Sequence, residues 1–149
     1  MIYVNGRFLL QSLTGVNRFA YELCRAWVQM GIPFILCCPS GSIKGCYDVS
    51  HFNIVVYGWG KSHVWEQLLL PLWFSRIKGE KVLVCFTGLG PLLIRKKIMT
   101  IHDLAFMANP DWYSRSYRLW YRLMTPLCVA TSVSYTHLRA HETAANLVC

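Results

Sequence analysis

Apolar and polar positions along the chain fall into blocks whose period alternates between that of a strand and that of a helix. Residues 2–4 (IYV) form a short apolar, β-prone start, followed by a glycine-containing loop that runs to Thr14 and Gly15. Residues 16–30 then carry Val16, Phe19, Leu23, Ala26 and Trp27 at spacings of three and four, the mark of an amphipathic helix with one buried stripe. Gly31 suits the stop of that helix. Residues 33–38 and 52–57 are compact apolar runs bounded by Pro, Ser and Gly, as expected of buried strands. A second helical pattern covers 64–77, where Pro71 removes a backbone donor and is expected to kink or divide the helix. Residues 81–86 and 97–102 give two further strands, and 113–127 a third helix.

Strands alternating with helices predict βαβ units, and hence an α/β fold: a Rossmann-like parallel sheet covered on both faces. Ligands on such sheets collect at the carboxyl ends of the strands. The loops to watch are therefore 5–15, 87–91 and 102–110.

Composition agrees, with 54% apolar and only 15% charged residues. The longest apolar run, 68–74, is far shorter than the ~20 residues of a membrane-spanning helix. Met1 leads directly into the first strand without a basic, apolar leader, so export is not expected. Seven cysteines contain no C-x-x-C pair and sit mostly in apolar runs, which fits packed thiols in a reducing cytoplasm and supports neither zinc nor another metal. The net charge of +8 is compatible with nucleic acid, an anionic bilayer or phosphate-bearing substrates.

Three loops hold the candidate chemistry. At 14–18, Gly15 stands where a strand-end loop enters a helix, so the amides of Gly15, Val16 and Asn17 can face an anion and Arg18 adds a cationic fork. The plainer alternative is a turn glycine beside a surface arginine. Thr87 and Gly88 follow the fourth strand and are the second set of candidate substrate contacts. The fifth strand delivers His102 and Asp103 to the same edge, as candidate catalytic residues. A structural histidine followed by a capping aspartate explains that pair equally well. Metal-dependent phosphohydrolase chemistry needs further ligands, and His51 and His63 lack the spacing.

Residues 133–143 (VSYTHLRAHET) and 146–149 (NLVC) resemble the translation of a sequencing adapter. The native reading therefore covers 1–132, with 133–149 expected to be a non-native, disordered or unpacked tail. Setting it aside leaves the net charge unchanged, because Arg139 and Glu142 cancel, and removes the zinc-like pair His137 and His141.

Four segments in order, NGRFL at 5–9, TGVNRFAYEL at 14–23, WEQLLLP at 65–71 and TIHDLAFMANPDWYS at 100–114, resemble glycosyltransferase family 4. The resemblance implies the GT-B fold, two Rossmann-like domains facing a cleft, and retaining transfer of a sugar (a hexosyl or mannosyl group) from a nucleotide sugar to a glycan or lipid-linked acceptor, as in polysaccharide biosynthesis, without a metal or other cofactor. By position, Gly15 would lie near the donor phosphate, Arg18 would support that loop or the acceptor, His102 would contact the transferred sugar and Asp103 would position that histidine or its loop. The second, donor-binding domain has no counterpart in the sequence, so the chain is expected to be an incomplete amino-terminal half, inactive as it stands.

Two stretches combine aromatic with basic residues: Trp65, Trp73 and Phe74 with Arg76 and Lys78, and Tyr117, Trp120 and Tyr121 with Arg115, Arg118 and Arg122. They are candidate faces for an anionic membrane, which would make the protein cytoplasmic and peripheral on the inner face, and equally an ordinary core stripe with a solvated basic edge. The alternative function is a basic membrane-surface or nucleic-acid binding module without catalysis. A nucleic-acid partner is not expected, since no nucleic-acid motif is present.

Overall fold

The computed structural model describes residues 1–60, 63–102, 114–132 and 134–137. Its strands are β1 (Ile2–Asn5), β2 (Phe34–Cys38), β3 (Ile54–Val56), β4 (Val82–Cys85), β5 (Lys97–Ile101) and β6 (Ser134–His137). The helices are α1 (Gly15–Gln29), α2 (Leu70–Arg76) and α3 (Arg115–Ala130), with a 3₁₀ turn at Arg7–Leu10 and a π turn at Trp65–Leu69. All neighbouring strands pair in parallel, in the order β3-β2-β1-β4-β5-β6. This is a Rossmann-like sheet, and its order reverses between β1 and β4.

Adjacent residues of each central strand point to opposite faces, which splits the core in two. Val4, Leu36 and Val84 pack with Phe8, Ala20 and Cys24 beneath α1. Tyr3, Cys37 and Leu83 pack with Trp65, Leu70 and Phe74 on the other face. A smaller cluster of Met99, Met124 and Cys128 seats α3. The indole of Trp65 is fully buried and donates from Nε1 to the Tyr57 carbonyl at 2.7 Å. The ring of Trp73 meets Tyr3 edge-on at 5.7 Å. Trp65 and Phe74 are thus core residues with Trp73 packed half-buried against them, so these three rings do not form an outward membrane face.

Helix α1 is capped at both ends. Thr14 Oγ1 accepts from the Asn17 amide at 3.2 Å. Past Gln29, Gly31 takes a left-handed conformation (φ 69°), its amide bonds the Val28 carbonyl, and the Ile32 amide bonds that of Trp27. This is the paired ending that glycine permits. The buried stripe is centred on Asn17, Ala20, Tyr21 and Cys24, one residue round from the expected one, with Phe19, Leu23 and Trp27 on its flank. Asn17 and Tyr21 tolerate burial because their polar ends are bonded, to the Ser12 carbonyl at 2.8 Å and the Asp48 carbonyl at 3.0 Å.

Pro71 does divide the second helix. The Leu70 amide bonds the Trp65 carbonyl five residues back, so a π turn precedes Pro71 and the α-helix proper starts at Leu70. Two features were not expected. Ser134–His137, assigned to the unpacked tail, forms β6 in register with β5, where it pairs the backbone of an otherwise open edge; the rest of the tail, 138–149, lies outside the described residues. Lys97 is fully buried, its Nζ donating to the Ile94 carbonyl at 3.0 Å and to Thr131 Oγ1 at 2.7 Å. Burial holds its ammonium below the usual lysine range.

Candidate functional site

The strand order reverses between β1 and β4, the place at which sheets of this kind bind ligands outside the carboxyl ends of the strands. Asn5, buried at the end of β1, starts the loop that follows that strand. Its Oδ1 accepts from the Arg7 amide at 3.2 Å, and its Nδ2 donates to Glu66 Oε1. Gly6 follows against β2, with its amide on the Cys37 carbonyl at 2.9 Å. A Cβ here would stand 2.5 Å from Cys38 Sγ, so only glycine fits this crossing.

The chain then enters α1 at Gly15, which is exposed. The first intrahelical bond is Arg18 N to Thr14 O at 2.8 Å, and Asn17 N is taken by the Thr14 cap, so the Gly15 and Val16 amides lie ahead of the bonded turn. A Cβ on Gly15 would meet open space, so packing within the chain does not demand glycine there. Arg18 is exposed beside these amides. At Asn17 the backbone amide is taken by Thr14 Oγ1 at 3.2 Å, and the buried side chain donates to the Ser12 carbonyl at 2.8 Å, so this residue holds the loop.

After β4 come Thr87 and Gly88, both half-buried, with Gly88 at φ 113° in a conformation that side chains disfavour. His102 follows β5. Its Nε2 lies 2.6 Å from the Phe86 carbonyl, an acceptor only, so Nε2 carries the hydrogen and Nδ1 is left to accept. The imidazole meets the Phe19 ring edge-on at 5.1 Å, and Phe19 meets Phe86 at 6.4 Å. Phe19 lies one turn along α1 from Gly15, on the same side of the helix. The three rings therefore gather the loops after β1, β4 and β5 on one rim, with Gly15 and His102 on the same side of the sheet. Asp103 lies outside the described residues.

The residue that sequence reasoning left without a role is Glu66. It is 2% exposed, accepts from Asn5, and sets Oε2 at 3.6 Å from Arg7 Nη2 and 3.5 Å from His63 Nδ1, without a hydrogen bond of its own. Next to it, Gln67 clasps the loop after β4, donating to the Gly90 carbonyl at 3.3 Å and accepting from the Leu92 amide at 3.0 Å. The available signal was a lone carboxylate in an otherwise apolar stretch, on a π turn of the kind that recurs at functional sites. Among the described residues no three His, Cys, Asp or Glu side chains converge as metal ligands would. Two surface hollows, of about 310 and 420 Å³, are lined by Met1, Glu80 and Lys96 and by Arg25, Asp48 and His51, and neither contains a nominated residue.

Compared with models of protein families, with curated proteins and with solved structures, the chain matches none of them.

Proposed function

We propose that residues 1–132 are the acceptor-side, amino-terminal domain of a two-domain, GT-B retaining glycosyltransferase. In this reading a separate donor-side domain completes the cleft, and this chain alone transfers no sugar. The observation that supports it is the gathering of the α1 first-turn amides and the His102 imidazole on one rim by Phe19 and Phe86. When a glycosidic bond to a nucleoside diphosphate breaks, negative charge grows on the leaving diphosphate and positive charge on the sugar ring. Preorganised amides at a helix start, with Arg18 beside them, stabilise the first. His102 Nδ1, with Nε2 tied to Phe86, offers an acceptor to a sugar hydroxyl. No metal or other cofactor enters this scheme; the nucleotide sugar is a substrate. A cytoplasmic setting suits the described cysteines, which are free thiols and, Cys46 apart, buried as small apolar side chains.

The test is a titration of this chain with a panel of nucleoside diphosphate sugars, followed by amide and imidazole NMR. The reading expects binding weaker than micromolar, with shifts centred on Gly15, Val16 and His102. Micromolar affinity in the isolated chain, or shifts centred elsewhere, overturns it.

A further inference from the structure

The face of the sheet opposite α1 is covered by the π turn with α2, by the loop 90–96 and by α3. These three elements adjoin: Gln67 bonds the Leu92 amide, Cys128 Sγ donates to the Gly90 carbonyl, and His63 meets the Trp120 ring at 5.8 Å. Their inner sides fill the core, yet their outer sides are apolar as well. Leu68, Leu72, Leu93, Leu119, Leu123 and Leu127 are all between 44% and 73% exposed. On α3 the leucines recur every fourth residue, with Trp120 beside them, so they form a stripe and not a scatter.

Charge decides what this surface suits. Arg115 and Arg122 are exposed on α3, Arg76 lies one turn beyond Leu72, and Arg95 follows Leu93. Helix α3 contains no Asp or Glu, and the sole carboxylate of the π turn and α2 is the buried Glu66. A second copy of the chain is a poor partner, because a two-fold contact through this patch would set its arginines against each other. An apolar stripe edged by cations and, among the described residues of these elements, without an exposed carboxylate complements a bilayer, with leucines among the acyl chains, Trp120 at the headgroups and arginines on lipid phosphates. Among the described residues no helix is long and apolar enough to cross a membrane, so the contact is along the surface.

We infer that this face, carried by α2, the loop 90–96 and α3, is a docking surface for an anionic lipid bilayer. The inference stands apart from the proposed transfer chemistry, which concerns the carboxyl rim.

Flotation of the full chain with vesicles tests it, using phosphatidylcholine alone and phosphatidylcholine mixed with phosphatidylglycerol. The chain is expected to float with the mixed vesicles only and to be released by salt. Arg115→Gln and Arg122→Gln should each weaken recruitment roughly fivefold, about the contribution of one cation near an anionic surface. Leu119→Ser with Leu123→Ser should abolish it while near-UV circular dichroism stays unchanged. The arginine variants alter exposed side chains only, so they remain informative if the leucine pair perturbs folding. Equal binding to both vesicles, no binding, or arginine variants that bind like the parent overturns the inference. So does a concentration-dependent dimer in sedimentation velocity that Leu123→Ser disperses.

Discussion

The imidazole of His102 stands edge-on to the ring of Phe19, centroids 5.1 Å apart and planes 86° to each other, so the end of β5 is locked against the first turns of α1. Edge-to-face contact favours this angle because the positive rim of one ring meets the negative face of the other. With Nε2 held by the Phe86 carbonyl, the imidazole is fixed in direction by one hydrogen bond and one ring. A rim residue oriented in this way loses little entropy when it meets a ligand.

Replacing Phe19 tests that relationship. Phe19→Ala should remove the ring-current shift from the His102 ring protons and cost about 1–3 kcal/mol in urea unfolding, below the cost of a fully buried phenylalanine because Phe19 is only half-buried. Nitrogen-detected NMR of the parent should show the Nε2–H tautomer of His102. Unchanged His102 resonances in the variant would mean that Phe19 does not orient it.

The crossing of the β1 loop over β2 gives a second prediction. Gly6→Ala introduces a Cβ 2.5 Å from Cys38 Sγ and 3.2 Å from the Cys37 carbonyl oxygen, and an overpacked site of this kind costs about 1–3 kcal/mol. Removing the sulfur should relieve part of the clash, so Gly6→Ala combined with Cys38→Ala should be more stable than the two separate losses predict, by roughly 1 kcal/mol. Strict additivity in chemical denaturation would show that the backbone of Cys37, and not the thiol, sets the limit.

Glu66 ties the rim to the helical layer, since it holds Asn5 and faces Arg7 and His63 from inside the protein. Glu66→Ala leaves the Asn5 amide and the Arg7 guanidinium without their carboxylate, which should cost about 3–5 kcal/mol. Glu66→Gln keeps the acceptor for Asn5 and loses only the charge, so it should cost clearly less. Hydrogen exchange should quicken at Gly6–Gln11 in the alanine variant ahead of α1. Equal losses for the two variants would show that the charge facing Arg7, and not the bond from Asn5, carries the interaction.

Much of the scaffold was legible because it depends on local pattern. The strands are short apolar runs between turn residues, Gly31 ends α1 by its backbone freedom, and Pro71 removes a backbone donor from the second helix. What escaped depends on partners far along the chain. Lys97 and Glu66 read as ordinary charges until the Thr131 hydroxyl and the Asn5 amide are brought to them. Trp65, Trp73 and Phe74 look like membrane anchors beside Arg76 and Lys78, but the sheet face that takes them up is built from β1, β2 and β4. The side-chain pattern of 134–137 gave no sign that an open β5 edge would take it up as a strand. The rim itself was legible in part. The loops holding Gly15, Gly88 and His102 follow from the rule for parallel sheets, while the inward turn of Asn17 and the contact of Phe19 with His102 required coordinates.

Five buried thiols should make the fold labile in alkali. Burial raises Cys24 and Cys38 from 9.0 to about 12 and Cys128 to about 11, and pushes Cys37 and Cys85 up as well. Each group has a folded value above its unfolded one, so its stabilising contribution is complete below pH 9.0 and is lost as pH climbs toward the folded value. Lys97 acts in the opposite sense: its folded value lies below 10.5, so the unfolded chain binds its proton more tightly and stability gains as pH rises toward 10.5. One lysine cannot offset five thiols. Together the thiols remove roughly 7 kcal/mol by pH 10, comparable with the whole stability of a small domain. Unfolding followed by circular dichroism under reducing conditions should therefore occur between about pH 10 and 11, and the five buried cysteines should become open to pulse alkylation, read by mass spectrometry, in the same step, because a buried thiol reacts only once it is exposed. Replacing Cys24 and Cys128 by alanine should reduce the steepness of this transition with pH. A transition that keeps its slope in that variant, or alkylation of any of these five cysteines well before the fold is lost, would show that these sulfurs are accessible in the native state; Cys46 is exposed and reacts in either case.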